Sequence, residues 1–142
     1  MTDQQPDLAR SRREGRERAL ELAYEAQVRS WSVARLLDAQ TLPPDPFVVE
    51  LLERGEARRA EADHLIEATS TRWSMSRMAV LDVVIMRLAV AELLADETPH
   101  GVVLAEAVEL AGRYSTEESS KFVNGILAAI ASGLQDGSLS PD

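Results

Sequence analysis

The sequence predicts an all-α fold, and three observations predict it. Ala, Leu, Glu and Arg dominate a chain of 142 residues in which aromatics are only 4%; these are strong helix formers, whereas strands favour β-branched and aromatic side chains. Apolar residues recur at helical spacing through most of the length. Near the C-terminus, Ser115 and Glu118 have the S-x-x-E spacing of a capping box, and Phe122, Val123, Ile126, Leu127, Ala129, Ile130 and Leu134 then form one broad apolar face.

Taken in order, the first helix is expected from Leu8 or Ala9 to about Arg29, with Leu20, Tyr24, Gln27 and Val28 at helical spacing and Ala19, Leu22, Ala23 and Ala26 beside them. Ser32 caps a short second helix from Val33 to about Gln40, which Pro43, Pro44 and Pro46 end. Asp45 with Pro46 opens a third, bearing Phe47, Val48, Leu51 and Leu52. A nearly continuous fourth runs from Glu56 to Ala68 through Ala57, Ala60, His64, Leu65 and Ala68. The polar stretch Thr69 to Ser74 surrounds Trp73, read as a core or junction anchor. The fifth helix, Met75 to Asp96, is apolar on nearly every side and belongs at the centre of the bundle. Asp82 inside it must pair within the fold or meet a partner's cation, because a lone carboxylate is costly to bury. A loop, Glu97 to Gly101, leads to a sixth helix ending near Arg113 or Tyr114, and the capped stretch is the seventh. Asn124-Gly125 interrupts it; glycine inside a helix costs about 1 kcal/mol relative to alanine, so close packing against this helix, or close approach by a ligand, is expected there.

One domain spanning 1–142 follows, with an N-terminal subdomain of about 1–72, a C-terminal subdomain of about 73–135, and a mobile tail, 136–142. Cysteine is absent, which excludes disulfides, thiolate metal sites and cysteine nucleophiles. The most apolar run, Met78–Ala95, is interrupted by Asp82, Arg87 and Glu92, so no membrane span is expected and the protein is read as cytoplasmic. His64 and His100 lack zinc-ligand spacing, and no phosphate-cradling loop or nucleophile elbow occurs, so neither enzyme activity, metal nor cofactor is expected.

Net charge is −9, which argues against a polyanionic partner, yet Arg10, Arg12, Arg13, Arg16 and Arg18 cluster at the amino end. Cations there oppose the helix dipole. The cluster is either a frayed, solvated terminus or an arginine-rich arm for RNA phosphates, ordered when RNA binds. Lys121, the single lysine, lies in the seventh helix.

The run Ser-Arg-Arg-Glu-Gly-Arg-Glu-Arg-Ala-Leu-Glu-Leu-Ala-Tyr24, then Gly55, Leu65-Ile66, Trp73, Arg77, Asp82, Arg87 and Glu92-Leu93, resembles the NusB family of transcription antitermination factors. Its most specific part is Glu106-Ala-Val-Glu-Leu-Ala111 leading into Ser119-Ser-Lys-Phe-Val-Asn-Gly-Ile-Leu127. The resemblance implies a seven-helix bundle in two small helical subdomains, without catalysis. It implies binding of boxA RNA in ribosomal RNA transcripts jointly with NusE, a small-subunit ribosomal protein, in an antitermination complex with RNA polymerase. By the same resemblance Arg12, Arg13, Arg16, Lys121 and Phe122 contact RNA, Glu118 tempers that affinity, and Asp82 pairs with a basic residue of NusE beside a surface carrying Tyr24. Glu14 and Val83 depart from the family's basic positions. The alternative reading is a protein-interaction module of this fold, self-associating into a homodimer and with weak or no RNA binding.

Overall fold

The computed structural model describes residues 4–141. Seven α-helices and one short 3-10 turn carry them: α1 (Gln4–Arg29), α2 (Val33–Asp38), α3 (Pro46–Ala57), α4 (Arg59–Thr69), the turn Met75–Arg77, α5 (Val80–Ala95), α6 (His100–Tyr114) and α7 (Glu117–Asp136). No strand occurs among the described residues, as the composition and periodicity predict. The chain separates into two compact units, one through Glu53 and one from Arg54 onward.

In the first unit α1 carries a narrower buried face than expected. Ala19, Leu20, Leu22 and Ala26 are buried, whereas Val28 is 63% exposed and Tyr24 39%. The buried positions recur at near-helical repeats, and Tyr24 and Val28 lie off that seam. Ser30 ends α1 in a left-handed conformation (φ 56°), and the chain returns through a hydrogen bond from Trp31 N to Ala26 O at 2.9 Å. Ser32 caps α2 as expected, its Oγ accepting from Arg35 N at 3.1 Å. Asp45 Oδ1 likewise accepts from Phe47 N at 2.9 Å, with Pro46 at the first helical position where a missing N–H is harmless.

The second unit is centred on α5, which packs with α4, α6 and α7. Val83, Val84, Ile85, Met86, Ala89, Val90, Ala91 and Leu93 are all buried on it, so its all-round apolar character does mark the middle of the bundle. Ala79 and Val80 are exposed, and the preceding residues form the 3-10 turn rather than a first α-helical turn. α4 presents Ala62, Leu65 and Ile66 inward, and leaves Ala60, His64 and Ala68 exposed, a face rotated from the expected one. An ion pair joins α4 to α5: Arg87 Nε donates to Asp63 Oδ1 at 2.7 Å and Nη2 to Oδ2 at 3.0 Å. Because α4 packs with α5 and α7, the division falls inside α3 at Glu53/Arg54 rather than at Thr69–Ser74. That polar stretch is a loop within the second unit, held by Ser70 Oγ donating to Trp73 O at 2.8 Å.

Glycine marks where α6 and α7 pack, but at a different position from the one expected. A Cβ at Gly125 would meet nothing within 4 Å, so this unit makes no close contact there. At Gly112, on α6, a Cβ would lie 2.6 Å from Ser120 Oγ on α7, and that hydroxyl donates to Val108 O at 3.3 Å. Beyond α7, Gly137 turns the chain (φ 80°), and Leu139 N bonds back to Gly133 O at 3.0 Å while its side chain lies directly on Gly133. His100, expected in a loop, is the first residue of α6, its Nε2 3.3 Å from Asp96 Oδ1.

Candidate functional site

The N-terminus of α7 is built by hydroxyl groups. Thr116, with extended backbone (φ −129°, ψ 167°), is the N-cap, and its Oγ1 accepts from Ser119 N at 3.0 Å. This corrects the expected Ser115–Glu118 capping box. Ser115 instead closes α6, donating its N–H to Ala111 O at 3.0 Å from a conformation (φ −129°, ψ −117°) that an N-cap does not adopt. Thr116→Ala is therefore expected to cost about 1 kcal/mol of stability and Ser115→Ala clearly less, as urea unfolding would measure.

Ser119 faces inward with 8% exposure, and its hydroxyl donates to Asp82 Oδ2 at 3.0 Å. A serine hydroxyl has one proton and two lone pairs. With the proton committed to Asp82, the oxygen accepts from Thr116 Oγ1 at 3.2 Å and from Ser115 Oγ at 2.9 Å. Asp82 is 5% exposed, and its Oδ1 is buried with no hydrogen-bond partner. Burial pushes this carboxyl up from its ordinary value, and the Ser119 hydroxyl pulls less strongly the other way. The fold thus supplies one ligand to Asp82 and leaves one oxygen unmatched.

Asp82 and Ser119 line a cavity of about 230 Å³ together with Trp73, Arg77, Met78, Ala79, Thr116, Glu118 and Phe122. Of the residues predicted for function, the cavity brings together Asp82, Glu118 and Phe122, while Lys121 is exposed on the same first turns of α7. Trp73, expected as an anchor, is 49% exposed and forms part of the cavity lining. Its position after a polar stretch, between Thr69 and Ser74, was the available signal that it sits at a rim. Thr116 is a lining residue that sequence reasoning missed, and Arg77 and Ser119 have no role there beyond the resemblance they help to carry. Chemically, two aromatic rings beside an under-coordinated carboxylate suit a planar or cationic donor group.

The remaining predicted residues lie in the first unit. Arg12 and Arg13 are exposed on α1, Arg16 is 8% exposed, and Tyr24 is partly exposed further along that helix. The Arg12 guanidinium lies 4.0 Å from the centre of the Phe47 ring and that of Arg16 5.4 Å. Among the described residues no group of three or more His, Cys, Asp or Glu is placed to hold a metal ion, and no helix is long and apolar enough to cross a membrane.

Residues 13–132 match the NusB family. The transcription antitermination protein NusB of Thermobifida fusca (strain YX) is 44% identical over 125 residues, covering 84% of this chain and 88% of the relative. The fold is similar to that of T. maritima NusB, with a TM-score of 0.77 and 29% identity over 90% of this chain and 97% of that one. It is also similar to a chain in a crystal structure of the antitermination factors NusB and NusE in complex with double-stranded RNA, with a TM-score of 0.73 and 28% identity over 87% of this chain and 98% of that one. The family match runs through both the arginine-bearing α1 and the hydroxyl-capped α7, and with it the chain belongs to the NusB family.

Proposed function

We propose that this chain is a non-catalytic, cytoplasmic adaptor of transcription antitermination that binds boxA-type RNA together with NusE, within a complex that includes RNA polymerase on ribosomal RNA transcripts. The observation that carries this reading is the cavity that gathers Asp82 with Glu118 and Phe122. The unmatched Asp82 Oδ1 accepts from a basic side chain of NusE, and Tyr24 contributes exposed surface to that partner. On the RNA side, Arg12 and Arg13 take phosphates and Lys121 adds a cation. A base stacks on Phe122, and Glu118 keeps the affinity moderate. Arg16, largely buried, contributes through the arrangement of its neighbours more than by direct contact.

A net charge of −9 and the burial of Arg16 favour a second reading, a protein-docking or homodimerising module with little RNA affinity. Titrating boxA-type RNA with and without NusE across salt concentrations, for the native protein and for Arg12→Ala/Arg13→Ala/Arg16→Ala, separates the two. The adaptor reading expects salt-dependent binding whose slope becomes shallower by roughly 1.4 units in the triple variant, at about 0.7 for each of the two phosphate contacts of Arg12 and Arg13. Absence of specific binding with NusE present would leave the docking module.

A further inference from the structure

The Phe47 ring lies against the arginine-bearing part of α1. It sits in the first turn of α3, and Gly15 lies beneath it on α1: a Cβ there would come 2.6 Å from Phe47 Cδ2 and 3.1 Å from Cε2. Glycine in the interior of α1 costs about 1 kcal/mol relative to alanine. Here it opens the space in which the ring lies against the helix backbone. Arg12, one turn before Gly15, and Arg16, the residue after it, both lie over the ring.

A guanidinium is planar, and its N–H donors lie in its plane. Stacking on an aromatic ring uses the face and leaves the donor edges directed outward. It also narrows the rotamers of a side chain that otherwise loses considerable freedom on binding, a cost of about 0.5–1.5 kcal/mol for each rotamer-rich side chain immobilised. Arg12 is exposed on α1.

We propose that Phe47, seated on Gly15, is a positioning residue that holds the Arg12 guanidinium ready for a phosphate of single-stranded RNA. The inference rests on the reading of Arg12 as an RNA contact and deepens it. Phe47 itself touches no RNA; it sets the geometry of the group that does.

The experiment compares native protein, Arg12→Ala, Phe47→Leu, Phe47→Tyr and Gly15→Ala, all as full chains. It measures affinity for a boxA-type RNA oligonucleotide with NusE present, thermal midpoints, and the Arg12 Nε–H resonance in the free protein. Leucine keeps apolar volume but has no π face, so Phe47→Leu is expected to weaken RNA binding roughly threefold, towards the lower end of the cost of immobilising one long side chain, and to remove the ring-current shift at Arg12. Phe47→Tyr should restore both. Gly15→Ala puts a methyl 2.6 Å from the ring, should push it off its seat and should reproduce the Phe47→Leu affinity; alanine's better helix propensity offsets part of the packing cost, which keeps a second test at hand if Phe47→Leu folds poorly. If Arg12→Ala weakens binding while Phe47→Leu and Gly15→Ala do not, the positioning role is overturned and the RNA reading stands. If Arg12→Ala itself changes nothing, the arm's RNA role fails and the positioning role falls with it. A loss in Phe47→Leu that tyrosine does not rescue would assign Phe47 to packing alone.

Discussion

Asp82→Asn is expected to make the protein more stable at neutral pH while weakening its binding to NusE by roughly 2–5 kcal/mol, the usual cost of removing one member of a buried, hydrogen-bonded charge pair. Asp82 is 5% exposed, with one oxygen on Ser119 and the other without a partner. Its folded-state pKa is raised from 3.8, chiefly by burial. The native state therefore binds this proton more tightly than the unfolded chain does. The stability that follows is fully present below the unfolded value and is lost as pH climbs through the raised one. Above that raised value the ionised group is a net burden. An amide at this position keeps an acceptor for the Ser119 hydroxyl and carries no charge, so the gain should be on the order of 1 kcal/mol at neutral pH and should vanish towards about pH 3. Urea unfolding at the two pH values measures the difference; a variant less stable than native at neutral pH would overturn the account of Asp82 as an under-solvated carboxylate. The same linkage reaches binding. On the proposed pairing, a cation from NusE would lower the carboxyl's pKa, so affinity should rise with pH through the raised value and the dependence should disappear in Asp82→Asn.

The reason this carboxylate was legible in sequence, while its setting was not, is physical. A charge among Met78, Ala79, Ile85 and Met86 stands out in any one-dimensional pattern. The serine that binds it lies 37 residues away and looks like any polar residue at a helix start. The same contrast runs through the fold. Ser32 and Asp45 were readable as caps because each follows a loop and precedes an apolar run without a competitor. At α7 two candidates overlap, Ser115 and Thr116, and the choice depends on where α6 stops, which local pattern does not encode. Alanine misled most. On α4 it occupies both faces, and Ala60 and Ala68 are exposed while Ala62 is fully buried. A methyl group is cheap to expose, so alanine reports helix propensity more than direction. Glycine needs its partner to be interpreted: Gly125 stands out in sequence because Asn precedes it, yet close contacts occur at Gly15, Gly112 and Gly133, whose neighbours Phe47, Ser120 and Leu139 are brought to them only by folding.

Ile66→Ala should produce a large loss of stability, and it also decides where α4 belongs. Ile66 is fully buried on α4, in the unit beginning at Arg54, and its helix packs with α5 and α7. Deleting its branched side chain removes transfer free energy and leaves a void that a helix pinned by the Asp63–Arg87 pair can close only in part, so the cost should be roughly 2–5 kcal/mol. The two tryptophans report the units separately, Trp31 lying before Glu53 and Trp73 after Arg54. Urea transitions are followed through Trp73 in a Trp31→Phe background and through Trp31 in a Trp73→Phe background. The observed packing requires the Trp73 transition to move to lower urea when Ile66→Ala is introduced. A shift confined to Trp31 would instead return α4 to the helices that precede it and restore a boundary near Thr69–Ser74. In that case the cavity around Asp82 would lose the support of α4 against α5, and the stability cost of the substitution would no longer be felt at the site where Trp73, Asp82 and Phe122 meet.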